Sequence, residues 1–189
     1  MTIDWQNCSF EYFQYLVSIS DLTSVDCHGY SMLHYACSVI DTYRSLTMVE
    51  LLFSAAQYRN IDLLQQPQGQ SQPLHRAAKN GNHFVVMELF RNGIDINTTN
   101  TEGQTALVYL ASNYEETDAP MVSFLIDLGI KTNIMDYEKM DALDYAYEGG
   151  HRHLVEYLLY RGAKVNMSHS YPRSQEEDLL EELDNLNIV

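Results

Sequence analysis

The sequence predicts an all-α fold: a solenoid of about four helix–turn–helix repeats with short hairpin turns, closed by a helix at each end. Three observations carry this. The first is a recurring segment: DCHGYSMLHYAC at 26–37, PQGQSQPLHRAAKNGN at 67–82, NTEGQTALVYLA at 100–111 and DYEKMDALDYAYEGGH at 136–151. Their aligned leucines, Leu33, Leu74, Leu107 and Leu143, are spaced by 41, 33 and 36 residues, and a period in the thirties marks a stacked repeat. The second is an apolar residue three before an apolar pair: Val86 with Leu89–Phe90, Val122 with Leu125–Ile126, and Val155 with Leu158–Leu159. That spacing is one face of a helix. The third is a glycine shortly after each pair, Gly93, Gly129 and Gly162, where a left-handed turn can close the helix.

Taken in order, residues 1–25 read as a capping half-repeat, with Trp5, Phe10, Phe13 and Leu16 on one helical face. Asp21 there aligns with Asp95, and Asp26 with Asn100. Four repeats follow over 26–66, 67–99, 100–135 and 136–168. Each opens with a short helix. Ser31, Thr105 and Asp141 stand two before the aligned leucine, where an oxygen caps the first amides. Pro73 takes the first helical position, where its missing N–H is harmless. Leu74, Ala77 and Ala78 make a narrow stripe that a neighbouring helix can approach closely. Helices of eight to ten residues are too short to persist alone in water, so stacking them into a shared apolar layer is the reason to repeat.

Repeat one carries eight extra residues, expected near AAQYRNIDLLQQ at the end of its second helix. Repeat three carries three extra in SNYEETDAP, expected to be a mobile loop. The tail 169–189 contains SQEEDLLEELDNLNIV, where Ser174 and Glu177 fit a capping box and Leu179, Leu180, Leu183 and Leu186 share a face. It reads as a final amphipathic helix.

The segments MLHYA, PLHRAA, GHRHLVEYLLYRGAKVN and GNHFVVMELFRNGIDIN resemble ankyrin repeats, and the resemblance covers about Ser20 to Asn166. It departs from the signature in places: Val108 and Asp144 stand where the family has histidine, and Lys139 where repeat four would have its turn glycine. The resemblance implies a non-catalytic protein–protein interaction module. Contacts would come from turn tips and the exposed side of each first helix. That implies Cys27, His28 and Tyr30 in repeat one, and Ser71, Lys79 and Asn80 in repeat two. In repeat three it implies Thr101, Glu102, Gln104, Ser112 and Asn113; in repeat four, Tyr137, Glu138, Met140 and Glu148. Tyr30, Tyr137 and Met140 are large where water would favour small polar groups, which suits interface anchors. Asn97 resembles the asparagine that host hydroxylases modify in such repeats, beside its plainer reading as a turn residue.

Charge narrows the partner. The 189 residues carry 11 Lys and Arg against 26 Asp and Glu, a formal net charge of −15. Such a chain repels phosphate backbones and lacks the basic face that anionic membranes attract, so neither nucleic acid nor membrane is expected. From Asn113 to Glu148 there are nine acids and two lysines, so a protein partner with a basic surface would be steered there. No leader peptide is read in MTIDWQNCSF, and the three cysteines suit free thiols in a reducing compartment. A cytoplasmic monomer is expected.

No cofactor, metal or catalytic group is expected. Cys27, His28, His34 and Cys37 cluster, but the first two are adjacent and His34 is the signature histidine, which fits no standard zinc spacing. An enzyme on a repeat scaffold would need a nucleophile such as Cys37 or a base such as His28 in a pocket, and nothing in the sequence supplies one. The tail has two further readings. Leu180, Leu183, Leu186 and Ile188 resemble a nuclear export signal, which suits a eukaryotic or viral adaptor or inhibitor that shuttles through the nucleus. Glu176, Glu177, Glu181 and Glu182 resemble the acidic block of bacterial type IV effectors secreted into a host cytosol, a virulence function.

Overall fold

The computed structural model describes residues 9–64 and 72–165. Trp5, Ser71 and the tail with its export and secretion residues lie outside the described residues. Among those described, nine α-helices and one 3-10 turn form, and the only β structure is two isolated bridges, Val25 with Ser31 and Thr99 with Thr105. The all-helical repeat fold is thus as expected. The chain divides into two compact units, Met1–Ala106 and Leu107–Val189.

The first unit contains α1 (Phe10–Ile19), α2 (Met32–Ser38), α3 (Thr42–Arg59), α4 (Pro73–Lys79) and α5 (His83–Arg91). Helices α2 and α4 pack together, as do α3 and α5, so first helices stack on first helices and second on second. Leu33, Ala36, Leu74, Ala77 and Ala78 fill the first layer; Val49, Leu52, Val85, Val86 and Leu89 fill the second. Small residues in the first layer permit close approach, while branched and long residues in the second fill the volume. The α1 helix buries Phe13 and Val17, with Phe10 and Leu16 half-buried. Phe90, the second member of its apolar pair, turns outward at 40% exposure.

The eight extra residues of repeat one do not form a break. They lengthen α3 to 18 residues against nine in α5. The buried residues Ser45, Met48, Val49, Leu52 and Ala56 follow steps of three and four, so one stripe continues into the extension. The extension has a use. Arg59, in its last turn, donates to the carbonyls of Ser20 at 2.9 Å, Val17 at 2.7 Å and Ser18 at 2.9 Å. These are carbonyls at the C-terminal end of α1, where orphan acceptors and the negative dipole end favour a cation. Asn60 then closes α3 in a left-handed conformation, φ 55°. The alignment of Asp21 with Asp95 is also physical. Asp21 Oδ1 accepts from Thr23 N–H at 2.9 Å, and Asp95 Oδ1 accepts from Asn97 N–H at 2.9 Å, the same Asx turn.

The second unit holds α6 (Ala106–Ser112, its first residue in the preceding unit), α7 (Ala119–Asp127), α8 (Ala142–Glu148) and α9 (Arg152–Tyr160). The stretch expected as a mobile loop forms a 3-10 turn, Glu116–Asp118, with Glu115 N–H donating to Asp118 Oδ2 at 2.9 Å. Leu107, Leu110, Met121, Val122, Leu125, Leu143, Leu154 and Leu158 are buried. Tyr157 hydroxyl donates to Ser123 Oγ at 2.9 Å, and Arg161 donates both to Tyr157 at 2.6 Å and to Asp127 at 2.7 Å.

Candidate protein-binding face

Three turns share one hydrogen-bond scheme. Asp26 Oδ1 accepts from the N–H groups of His28 and Tyr30, Asn100 Oδ1 from those of Glu102 and Gln104, and Asp136 Oδ1 from those of Glu138 and Met140, all at 2.8–3.1 Å. The backbone then closes each turn: Asp26 N–H donates to Tyr30 O, Asn100 N–H to Gln104 O, and Asp136 N–H to Met140 O. A side chain that satisfies two amides holds the turn tip rigid while leaving the residues between them outward.

This scheme sorts the predicted contact residues. Cys27, His28, Thr101, Glu102, Tyr137 and Glu138 are exposed at the tips. Lys79, Asn80, Asn113 and Glu148 are exposed at the ends of first helices, with Ser112 half-buried; Asn80 also donates to Cys37 O at 3.3 Å. Two residues need correction. Gln104 and Met140 are buried, 5% and 6% exposed, and cannot serve as surface anchors. Tyr30 shares their register and is half-buried. The reason is the closing bond: this residue ends the turn and feeds the first helix, so its side chain passes under the tip. Asn97 is half-buried, with its backbone bound to Asp95.

The register two past the aligned leucine is not among the sequence-predicted contacts, yet it belongs to this face. It holds Tyr35, Arg76, Tyr109 and Tyr145, all half-buried on the outer side of first helices whose inner side is fully enclosed. Tyr35 hydroxyl donates to Asp26 Oδ2, and Tyr145 hydroxyl donates to Asp136 Oδ2 at 2.7 Å. Each ties a helix to the turn nine residues before it. The bond from Tyr35 holds the Asp26 carboxyl below its ordinary range, while burial and the neighbouring Asp26 push the phenol up to about 12. The signal available in sequence is the pairing itself, an acid with a tyrosine nine later, in repeats one and four.

The signature histidines are structural. His34 Nδ1 accepts from Ser31 N–H at 3.0 Å, and His75 Nε2 lies 2.8 Å from Gln104 O. Burial depresses both to about 4, so both are neutral near pH 7. In repeat four Asp144 takes the place of His34: its Oδ2 accepts from Asp141 N–H at 3.0 Å, while Asp141 Oδ1 accepts from Leu143 and Asp144 N–H. Cys37 is fully buried, which pushes its thiol well up and keeps it protonated and unreactive. Among the described residues no three His, Cys, Asp or Glu side chains are grouped to hold a metal, and no helix is long and apolar enough to cross a membrane.

Comparison with known proteins gives this geometry a class. The family model for ankyrin repeats, in three copies, matches residues 74–169, just over half of the chain, and the protein belongs to the ankyrin repeat family. Among solved structures, the ankyrin repeat domain of Bcl-3, titled a unique member of the IkappaB protein family, is similar with a TM-score of 0.72. That likeness covers 90% of this chain and 76% of that one at 23% identity, and it shows the fold alone. A probable serine/threonine-protein kinase of Dictyostelium discoideum is 32% identical over 84 residues. Those residues are 44% of this chain and only 10% of the relative, so the kinase's activity stays with that protein. Ankyrin repeats are generally protein–protein interaction modules, and the fold is typically non-catalytic.

Proposed function

We propose that the chain is a non-catalytic adaptor that binds a partner protein through its turn tips and the outer side of its first helices, and that the 107–165 unit receives a basic segment of that partner. The supporting observation is Tyr137. It is 74% exposed at a turn tip whose backbone is already held by Asp136, so the fold has no use for its ring. A rigid aromatic on a fixed turn loses little entropy on binding. Exposed Glu138 and Glu148 share the repeat and supply the negative potential that would steer a basic partner.

The test is calorimetry with a partner isolated by two-hybrid screening. Tyr137→Ala should weaken binding about tenfold or more, as truncating an anchor does, while leaving the melting temperature unchanged. Glu138→Lys with Glu148→Lys should slow association and flatten its dependence on salt. Unchanged affinity in both variants would remove this face from the account. The narrower reading of a secreted effector is supported by Glu176, Glu177, Glu181 and Glu182, and that of a shuttling adaptor by Leu180, Leu183, Leu186 and Ile188, in each case by sequence alone.

A further inference from the structure

Repeat two breaks the tyrosine–acid pairing on both sides. In α2 and α8 the register two past the leucine is tyrosine, bonded to an aspartate nine residues earlier. In α4 that register is Arg76, and the residue nine earlier in sequence is Pro67. A cation has replaced the tyrosine, and its would-be internal carboxylate has been removed.

Arg76 is nevertheless held in place. Its guanidinium carbon lies 4.2 Å from the centroid of the Tyr30 ring. Tyr30 is itself fixed, with His34 at 5.6 Å and tilted and Tyr35 at 6.1 Å and edge-on. Stacking on a ring occupies the flat face of a guanidinium and leaves its N–H edge available, the edge that matches a carboxylate with two parallel bonds. Arg76 Nε is buried without a hydrogen-bond partner among the described residues, so the edge a carboxylate can meet is the terminal Nη1–Nη2 pair, and no described carboxylate forms an ion pair with it. Asp26, the acid on the turn that carries Tyr30, is already committed: Oδ1 accepts from His28 and Tyr30 amides, and Oδ2 from Tyr35 hydroxyl. Exposed Lys79, one turn further along α4, adds a second positive charge to the same face. His34 beneath is neutral near pH 7, which leaves Arg76 as the fixed cation of the cluster.

We propose that the Tyr30–Arg76 platform is an anchor for a carboxylate side chain, Asp or Glu, in an acidic segment of a partner protein. The proposal rests on the reading of the first-helix side as the binding face, and it gives the 9–106 unit the opposite preference from the 107–165 unit. A partner that engages both would carry an acidic and a basic stretch.

A random short-peptide library displayed on phage and selected against the intact chain tests this. The expected winners carry Asp or Glu at a fixed register. Changing that residue to Gln or Asn in the peptide, or Arg76→Gln in the protein, should weaken the dissociation constant about tenfold, the scale of a charge-assisted hydrogen bond. Arg76→Lys keeps the charge but not the fork, and should also weaken binding. Arg76→Glu should prefer the same peptide with Lys in place of its acid. A matched melting temperature for Arg76→Lys and the parent chain keeps the comparison on binding. The proposal is overturned if the library returns no acidic binder, if affinity requires phosphoserine where Glu was expected, or if Arg76→Gln changes affinity by less than about twofold. Winners that respond to Tyr137→Ala but not to Arg76 would sink this anchor and leave the binding face standing. Winners indifferent to every first-helix and turn substitution would sink both.

Discussion

In the 9–106 unit the third residue of the first helix is histidine twice, His34 and His75. In the 107–165 unit the same register holds Val108 and Asp144. All four are buried, and all sit beneath the start of a seven-residue helix. The comparison teaches that the position is not tied to one side chain: His34 and Asp144 accept a cap amide, His75 meets the Gln104 carbonyl, and Val108 packs with a side chain that has no polar group at all. His34 accepts the Ser31 amide with a ring nitrogen, and Asp144 accepts the Asp141 amide with a carboxylate. The solutions differ in how they answer acid, and that is where the two units can be pulled apart.

The largest expected effect follows from that difference. His34 and His75 fall from 6.5 to about 4 in the folded chain, chiefly through burial. A folded-state value below the unfolded one means the unfolded chain binds more protons between the two. Their contribution to stability is therefore complete above about pH 6.5 and is lost as pH falls toward 4. Each tenfold change in proton affinity is worth about 1.4 kcal/mol, so each histidine accounts for about 3 kcal/mol. Protonated His34 would also present a donor to the Ser31 amide it now accepts from. Hydrogen exchange at pH 7 and pH 5 should show protection falling first in α2 and α4, with α8 less affected. His75→Gln, which keeps a donor for Gln104 O, should flatten the slope of unfolding free energy against pH by about half. Equal loss of protection in both units would contradict the assignment.

The next effect tests the long helix that only the 9–106 unit has. Arg59→Ala removes three hydrogen bonds to the end of α1, and should destabilise that unit by about 1–2 kcal/mol. Arg59→Lys should recover part of this, since one ammonium cannot span three carbonyls as a fork does. Loss of exchange protection in α1 with α7 and α9 unchanged would confirm that the effect is local. If α1 keeps its protection, burial of Phe13 and Val17 holds it without the arginine.

How far these features can be read in advance depends on their period. The four leucines, the apolar triplets and the closing glycines recur in the same order, with each glycine three past its apolar pair, and each corresponds to an element or a helix end. The extra residues of repeat one are legible as to place but not as to form. The sequence from Thr42 to Arg59 contains no Gly or Pro, and its apolar stripe continues as far as Ala56, so nothing breaks the helix. The turn tips of the binding face are legible because they fall at a fixed offset from the leucine. Gln104 and Met140 mislead because the closing bond turns that residue inward, a fact of three-dimensional hydrogen bonding that side-chain size conceals. Tyr35 and Tyr145 escape notice because their bonds to Asp26 and Asp136 join residues nine apart, a spacing that neither helix nor strand periodicity suggests.

The smallest effect concerns a single backbone angle. Gly29 and Gly103, in the 9–106 unit, occupy the left-handed region with φ of 78° and 81°. Lys139 holds the same turn position in the 107–165 unit with φ 70°. An L-residue there costs about 1–2 kcal/mol through the crowding of its Cβ, and glycine returns roughly 0.5–1 kcal/mol of that as unfolded-state entropy. Lys139→Gly should therefore stabilise the second unit by about 0.5–1 kcal/mol, and Gly103→Ala should destabilise by a similar amount. Urea denaturation followed by both variants reads the sign directly, since an unchanged slope with a raised midpoint reports stability rather than a change in compactness. The turn is otherwise held by Asp136, whose Oδ1 accepts the Glu138 and Met140 amides in either variant. A midpoint that stays put in Lys139→Gly would mean that the aliphatic stem of the lysine makes up, through packing, what its backbone loses to strain.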